Sequence, residues 1–457
     1  MNMKRYNLLL LFALLSIFTN EIYADDFYRV WLKDKEGSVC NISRPETFLS
    51  ESAIARRNKQ GYAINENDLP VSAVYLQQLS EKGEIITQSK WMNTVVLKFK
   101  NYKDYEKLEE FAFIDSLKWI GNYDGSKPSK RKNNLRGEHH ARNLNAKEVA
   151  NLHKNSVEQI TLLKGDKLHE SGYRGRGMKV AILDAGFPSW DKIASINSDQ
   201  VIEYKDFSYP KVKHFGDEKH GTNVLSILLA DTDDSIQGTA PEAEYYLFKT
   251  ENTLYELPVE EDFWISALEY ADSTGIDIIN SSLGYHTFDI TSLNHTKSNV
   301  DGQSSFISQA AQKAIERGMF LVISAGNDGL TEWAKIGFPA DTKNALTVGS
   351  IDRKGEVSNF SSRGFVLGNY VKPDVVAIGT GTVLLNPDGS CTMSDGTSFS
   401  APIVTGLVAC LWQALPEMTN LGLLDIIRKS GNRYKRPNEY MGYGIPNFQK
   451  ALNSGNN

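Results

Sequence analysis

The run Ile403 to Leu411 is nearly all apolar and follows directly on a tight turn, Asp395-Gly396-Thr397-Ser398. A helix without a polar face belongs in the middle of a domain, with other layers packed around it. Gly396 lets the backbone come close at the turn, and Pro402 reads as part of the first helical turn, where a missing N–H is tolerated. Ser398 is then a small nucleophile at the start of a buried helix. The positive end of the helix dipole favours negative charge developing there on a bound carbonyl oxygen.

A serine becomes nucleophilic when a base takes its proton, and the usual base is a neutral imidazole oriented by a buried carboxylate. Two segments offer those groups. Val180-Ala181-Ile182-Leu183-Asp184-Ala185-Gly186 is a short apolar run ending in an acid and a glycine, which reads as a buried parallel strand with Asp184 at its C-terminal edge. Open α/β sheets bind ligands outside the carboxyl ends of their strands, so Asp184 is placed for chemistry. His220-Gly221-Thr222 precedes Val224, Leu225, Ile227, Leu228 and Leu229, a second buried helix with a histidine at its start. Singly, such an aspartate is more often a cap and such a histidine more often structural. Together with Ser398 they point to nucleophilic catalysis.

In flanking pattern and chain order, Asp184, His220 and Ser398 resemble the three signature segments of the subtilisin-like serine proteases, the subtilases. The resemblance implies a three-layer α/β/α domain with a mostly parallel sheet. It also implies roles: Ser398 attacks the scissile carbonyl, His220 takes and returns the proton, and Asp184 orients His220. Phe320-Leu321-Val322-Ile323-Ser324-Ala325-Gly326-Asn327 is a buried strand running into a turn, and it matches the family segment whose asparagine side chain completes the oxyanion hole with the Ser398 N–H. Ile278-Ile279-Asn280-Ser281-Ser282-Leu283-Gly284 is similar to the family strand whose edge, here Ser282, Leu283 and Gly284, pairs main chain to main chain with an extended peptide. Gly337, in Ile336-Gly337-Phe338-Pro339-Ala340, corresponds to the glycine on the floor of the primary specificity pocket.

This similarity runs over roughly residues 155 to 452. It implies an exported serine endopeptidase acting on polypeptides through an acyl-enzyme, whose activity falls as His220 protonates below about pH 6.5. The alternative is a catalytically silent binding protein of the same fold. Such proteins usually lack a triad member, and this chain carries all three. A lipase or esterase would more typically show a Gly-x-Ser-x-Gly elbow, whereas Ser400 stands two places after Ser398.

Residues 1–24 read as a secretory signal peptide: Lys4 and Arg5, an apolar run from Leu8 to Phe18, and a small-residue cleavage site at Ile22-Tyr23-Ala24. The mature chain is expected outside the cytoplasm, periplasmic or extracellular. Residues 25–123 read as a small α+β unit. Within it Phe27 to Leu32 alternates like an edge strand, Ser72 to Leu79 and Tyr105 to Phe113 like amphipathic helices, and Thr94 to Phe99 and Ser116 to Ile120 like strands. By position this unit resembles the propeptide of exported subtilases, which assists folding, occupies the cleft in cis with its C-terminal tail and is cut away. Arg44 to Pro70 looks like a helical segment added to the minimal version. Residues 124–154 form a basic polar linker with Lys127, Lys130, Arg131, Lys132, Arg136 and Arg142, where processing is expected; residues 155–457 form the peptidase domain.

The net charge of -6 gives no support to a nucleic-acid partner, and no segment after the signal offers the ~20 apolar residues of a membrane span. Cys40, Cys391 and Cys410 are too few for a disulfide framework. Cys410 reads as a buried small hydrophobe, with a Cys391–Cys410 bridge as the alternative. No cofactor is expected. His139-His140 reads as linker; Asp231, Asp233 and Asp234 are able to hold calcium through oxygen ligands but read first as helix-end caps. Glu251, Glu256, Glu260, Glu261 and Asp262 read either as a cleft wall favouring basic substrate residues or as the ordinary acidic start of a helix.

Overall fold

The structure, a computed structural model, describes residues 25–100, 102–123, 150–211, 215–216, 218–232 and 236–456. Residues 1–24, read above as a signal peptide, residues 124–149 with His139 and His140, and Asp233 and Asp234 lie outside them.

The first unit comprises β1 (Asp25–Leu32), α1 (Glu51–Gln60), α2 (Ala73–Ser80), β2 (Glu84–Ser89), β3 (Thr94–Phe99) and β4 (Ile114–Tyr123). Its sheet is antiparallel, in the order β2-β3-β1-β4. β1 is therefore a central strand and not the edge strand that its alternation predicts. Both of its faces are buried: Tyr28, Val30 and Leu32 point into the small core with Leu79, while Phe27 packs with Tyr255, Leu257 and Phe263 of the second unit. Buried Arg29 in the second face made a doubly covered strand look half solvated.

The helix expected over Tyr105 to Phe113 is replaced by a 3₁₀ segment, Tyr102–Leu108, and a turn. Phe113 stacks on Tyr75 of α2, and Phe111 stacks on Phe113. Residues two apart do not share a helix face, so this aromatic packing requires the chain to leave helical geometry.

The second unit runs α3 (Leu152–Thr161), α4 (Asp166–Glu170), β5 (Lys179–Asp184), β6 (Val201–Asp206), α5 (His220–Leu229), β7 (Glu244–Lys249), α6 (Val259–Thr274), β8 (Ile278–Ser281) and α7 (Phe306–Ile315). It continues through β9 (Phe320–Ser324), β10 (Leu346–Ile351), β11 (Phe365–Leu367), β12 (Tyr370–Lys372), β13 (Val375–Ile378), β14 (Thr382–Leu385), β15 (Cys391–Ser394), α8 (Thr397–Ala414), α9 (Asn420–Ser430) and α10 (Phe448–Gly455). Seven strands form one sheet in the order β13-β10-β9-β8-β5-β7-β6, and each pairing in it is parallel.

A parallel sheet is stable when helices cover both faces, and β5 shows how the sequence provides for that. Val180 and Ile182 join the core beneath α5, α8 and α9, whereas Ala181 and Leu183 join the core beneath α6 and α7. The result is a three-layer α/β/α domain. α8 is the helix that the apolar run predicts; its length and apolarity would suffice for a membrane span, but 89% of it is buried inside the domain.

Candidate active site

The predicted residues gather at the carboxyl edge of the parallel sheet. β5 ends at Asp184, α5 begins at His220, β8 runs into Ser282-Leu283-Gly284, β9 into Ala325-Gly326-Asn327, and Ser398 lies in the first turn of α8. His220, Ser282, Leu283, Gly284, Asn327, Gly337 and Ser398 all line one cleft of about 200 Å³.

His220 Nδ1 stands 2.8 Å from Oδ1 and 2.9 Å from Oδ2 of Asp184. Asp184 Oδ1 also accepts the Ala185 N–H at 2.8 Å, which fixes the carboxylate that fixes the ring. Both side chains are buried. Burial alone would push the His220 pKa down, but the charge and hydrogen bond of Asp184, with Glu218 and Glu251 farther off, outweigh it and hold the pKa above the ordinary 6.5. Gly221 makes the approach of α5 to the Asp184 turn feasible: a Cβ there would stand 2.4 Å from the Gly186 carbonyl oxygen.

Ser398 and Ser282 are joined reciprocally. Ser398 Oγ donates to the Ser282 carbonyl at 3.3 Å, and Ser282 Oγ donates to the Ser398 carbonyl at 2.9 Å. Pro402 explains the second bond. It lies inside α8 rather than in the first turn, and the N–H it lacks is the one that would have bonded to the Ser398 carbonyl four residues earlier. That acceptor is left for Ser282, which ties the Ser398 backbone to the Ser282-Leu283-Gly284 wall.

Asn327 is oriented by Thr397. Its Oδ1 accepts from the Thr397 N–H at 2.9 Å and from Thr397 Oγ1 at 3.0 Å, which leaves Nδ2 as the amide donor toward the cleft. Gly326 adopts φ +100 at the turn, a conformation that favours glycine. Gly284 is exposed on the cleft wall, and an added Cβ would meet nothing nearer than the Phe338 carbonyl at 3.9 Å. A Cβ on Gly337 would lie 3.2 Å from the Tyr285 carbonyl and 3.6 Å from His286 Cδ2.

Sequence reasoning missed Asp328, His286 and Thr397, which also line this cleft. His286 Nε2 sits 3.1 Å from Asp328 Oδ2, and its ring stacks on Trp333 with centroids 4.6 Å apart. Asp328 and Thr397 adjoin residues already singled out and were within reach. His286 carries no local pattern that distinguishes it.

One expectation needs correction, and two further readings meet the structure. Of the five acids before Trp264, Glu251 and Glu256 line the cleft, but Glu260, Glu261 and Asp262 are buried in the first turn of α6. Glu260 accepts the Asn252 N–H, Glu261 meets His295 at 2.7 Å, and Asp262 holds Arg29 of the first unit, so those three serve packing contacts. Cys410 is the buried small hydrophobe that the sequence suggests, and the alternative, a Cys391–Cys410 bridge, does not form; both are free thiols, and Cys410 Sγ donates to the Thr239 carbonyl at 3.3 Å. Asp231 is engaged by Arg174 at 2.5 Å.

A family model described as "Subtilase family" matches residues 175–444, and one described as "Peptidase S8 propeptide domain, Bacteroidota" matches residues 27–136. Subtilisin DY of Bacillus licheniformis is 29% identical over 295 residues, which make up 64% of this chain and 97% of that protein. Subtilisin E of Bacillus subtilis (strain 168) is 28% identical over 301 residues, 64% of this chain and 70% of that one. The crystal structure of fervidolysin from Fervidobacterium pennivorans, a keratinolytic enzyme related to subtilisin, shares the fold with a TM-score of 0.61 at 18% identity, covering 94% of this chain and 61% of that one.

Proposed function

The chain belongs to the subtilase family and is a serine endopeptidase with an N-terminal propeptide domain, and we propose that it is exported, that Ser398, His220 and Asp184 carry its catalysis, and that it cuts itself between residues 124 and 154. The reading rests on one observation above the rest: His220 is clamped through Nδ1 by Asp184 in the cleft that Ser398 also lines. With Nδ1 so engaged, Nε2 is the nitrogen that takes the serine proton.

Ser398 Oγ rests on the Ser282 carbonyl. An extended peptide that adds itself to Ser282, Leu283 and Gly284 needs the main-chain groups of that wall. It therefore competes for the carbonyl and turns the hydroxyl over to His220. Oγ then attacks the scissile carbonyl, His220 carries the proton to the leaving amine, and Asn327 Nδ2 with the Ser398 N–H holds the oxyanion. Water repeats the sequence on the acyl-enzyme. Lys4, Arg5 and the apolar run to Phe18 support export to the periplasm or the exterior.

The test is a fluorophosphonate probe with intact-mass measurement on wild type and Ser398→Ala. Labelling of wild type alone, with a mass loss that also vanishes in the variant, is the expected result. A folded, processed wild type that takes no label would instead be a binding protein built on this fold.

A further inference from the structure

The segment Arg44 to Pro70 of the first unit docks on the peptidase unit at a place remote from the cleft. Helix α1 lies against the C-terminal ends of α6 and α7, where the last carbonyls of a helix have no partner of their own. The Ser50 N–H donates to the Ser273 carbonyl at 2.9 Å. Arg56 Nη1 reaches the Ile276 carbonyl at 2.5 Å and its Nε the Arg317 carbonyl at 3.2 Å. Gln60 Nε2 reaches the Gly318 carbonyl at 2.8 Å, its Oε1 accepts the Asn420 N–H at 2.8 Å, and Tyr62 donates to Asn420 Oδ1 at 3.0 Å. The Arg56 side chain, whose Nη2 also reaches the Asp272 carbonyl at 3.3 Å, thus meets the negative end of a helix dipole.

Charge pairing runs through the same contact. Asp272 of α6 receives Arg56 at 2.6 Å and Arg57 at 2.5 Å. Arg57 also holds Asp68 at 2.8 Å, and Asp68 in turn receives Arg317 of the peptidase unit at 2.7 Å. All five side chains are buried. The chain of alternating charge crosses the boundary between units three times, at Arg56–Asp272, Arg57–Asp272 and Asp68–Arg317. It stands at the opposite end of α6 from Glu256 and the cleft, about 24 Å along a helix of 16 residues.

We propose that α1 and Asp68 form a latch that holds the first unit to the peptidase unit independently of the cleft. The surface it reads is the paired C-termini of α6 and α7, with Asp272 and Arg317 as its charged anchors. Substrate can then enter the cleft while the domain stays bound, whether or not a propeptide tail has first to leave it. A cut between residues 124 and 154 severs none of these contacts. The inference assumes that the linker can be cut, not that the enzyme cuts it.

The test therefore supplies the cut from outside. A recognition site for a sequence-specific viral protease is placed within residues 130–140 of the full chain carrying Ser398→Ala, which is then immobilised by its C-terminus and cleaved. Release of the N-terminal fragment is followed with and without a saturating peptide that fills the cleft. Retention with a release rate unchanged by the peptide is expected. Arg57→Ala is expected to speed release at least 100-fold, and the milder pair Gln60→Ala and Tyr62→Phe, which leaves the buried charges whole, several-fold. Release driven by the peptide, or release from the milder pair at the parent's rate, overturns the latch.

Discussion

Asn327 Oδ1 takes both the N–H and the hydroxyl of Thr397, the residue that immediately precedes Ser398. The proposed oxyanion donor and the proposed nucleophile are thus built on one rigid junction between β9 and α8. Because Nδ2 is aimed by that junction, its removal costs transition-state stabilisation more than substrate binding. Asn327→Ala should lower kcat by about 10²–10³ with little change in KM, the magnitude that loss of one such donor has in a subtilisin. Thr397→Val, which keeps the backbone bond, should cost less. Single-turnover acylation rates decide it; an unchanged kcat in Asn327→Ala would remove Asn327 from the oxyanion site.

The rate should fall in acid with a midpoint above 6.5. Burial opposes the charge on His220, but Asp184 outweighs burial and raises the pKa, so the imidazole keeps its proton to a higher pH than a free one. The base is the neutral form, and kcat/KM therefore rises with pH through that midpoint. The same raised pKa gives a stabilisation that is complete below the unfolded value near 6.5 and is lost as pH rises through the folded one. Asp184→Asn removes the influence that raises the pKa and leaves burial. Its midpoint should move down and kcat should fall by about 10⁴. A wild-type profile that is flat from pH 5 to 8 in chemistry-limited turnover would exclude His220 as the base.

The gathering of the candidate residues at one sheet edge was legible because each of them ends or begins an element with a strong pattern. Asp184 closes an apolar strand, His220 and Ser398 open apolar helices, and Asn327 follows a strand of five buried residues. Positions set by tertiary contact were not legible. Arg29 sits in an alternating strand, and nothing local tells that its partner is Asp262, far along the chain. Glu260, Glu261 and Asp262 look like a solvated helix start until Asn252, His295 and, from the first unit, Arg29 close on them. His286 acquires its place from Asp328 and Trp333, which arrive from another segment.

The thiols should divide by burial. Cys410 is fully enclosed in α8 and burial pushes its pKa far up, while partial burial raises that of Cys391 to about 11. The thiolate is the reactive form, so neither should react readily near neutral pH. With a small alkylating reagent at pH 7.5, Cys410 is expected to label after unfolding alone, and non-reducing peptide maps to show no Cys391–Cys410 linkage. Cys410 alkylation in the folded protein would contradict its enclosure.

Gly337 tests which part of the cleft reads the substrate. A Cβ there would enter between the Tyr285 carbonyl and the His286 ring, at 3.2 Å and 3.6 Å, where neither the main chain nor a ring stacked on Trp333 yields easily. Valine would fill the space that an incoming side chain uses. If Gly337 is the floor of the primary pocket, Gly337→Val should cut kcat/KM for peptides with Phe or Leu at the scissile residue by about 10- to 200-fold, the range for one or two methyl-sized misfits. Peptides with Ala at that position leave the floor empty and should lose no more than a few-fold. The ratio between the two substrates carries the argument, because a general disturbance of the Tyr285–Phe338 pairing would lower both together. An equal loss for both would move the specificity pocket away from Gly337, toward the Glu251 and Glu256 side of the cleft.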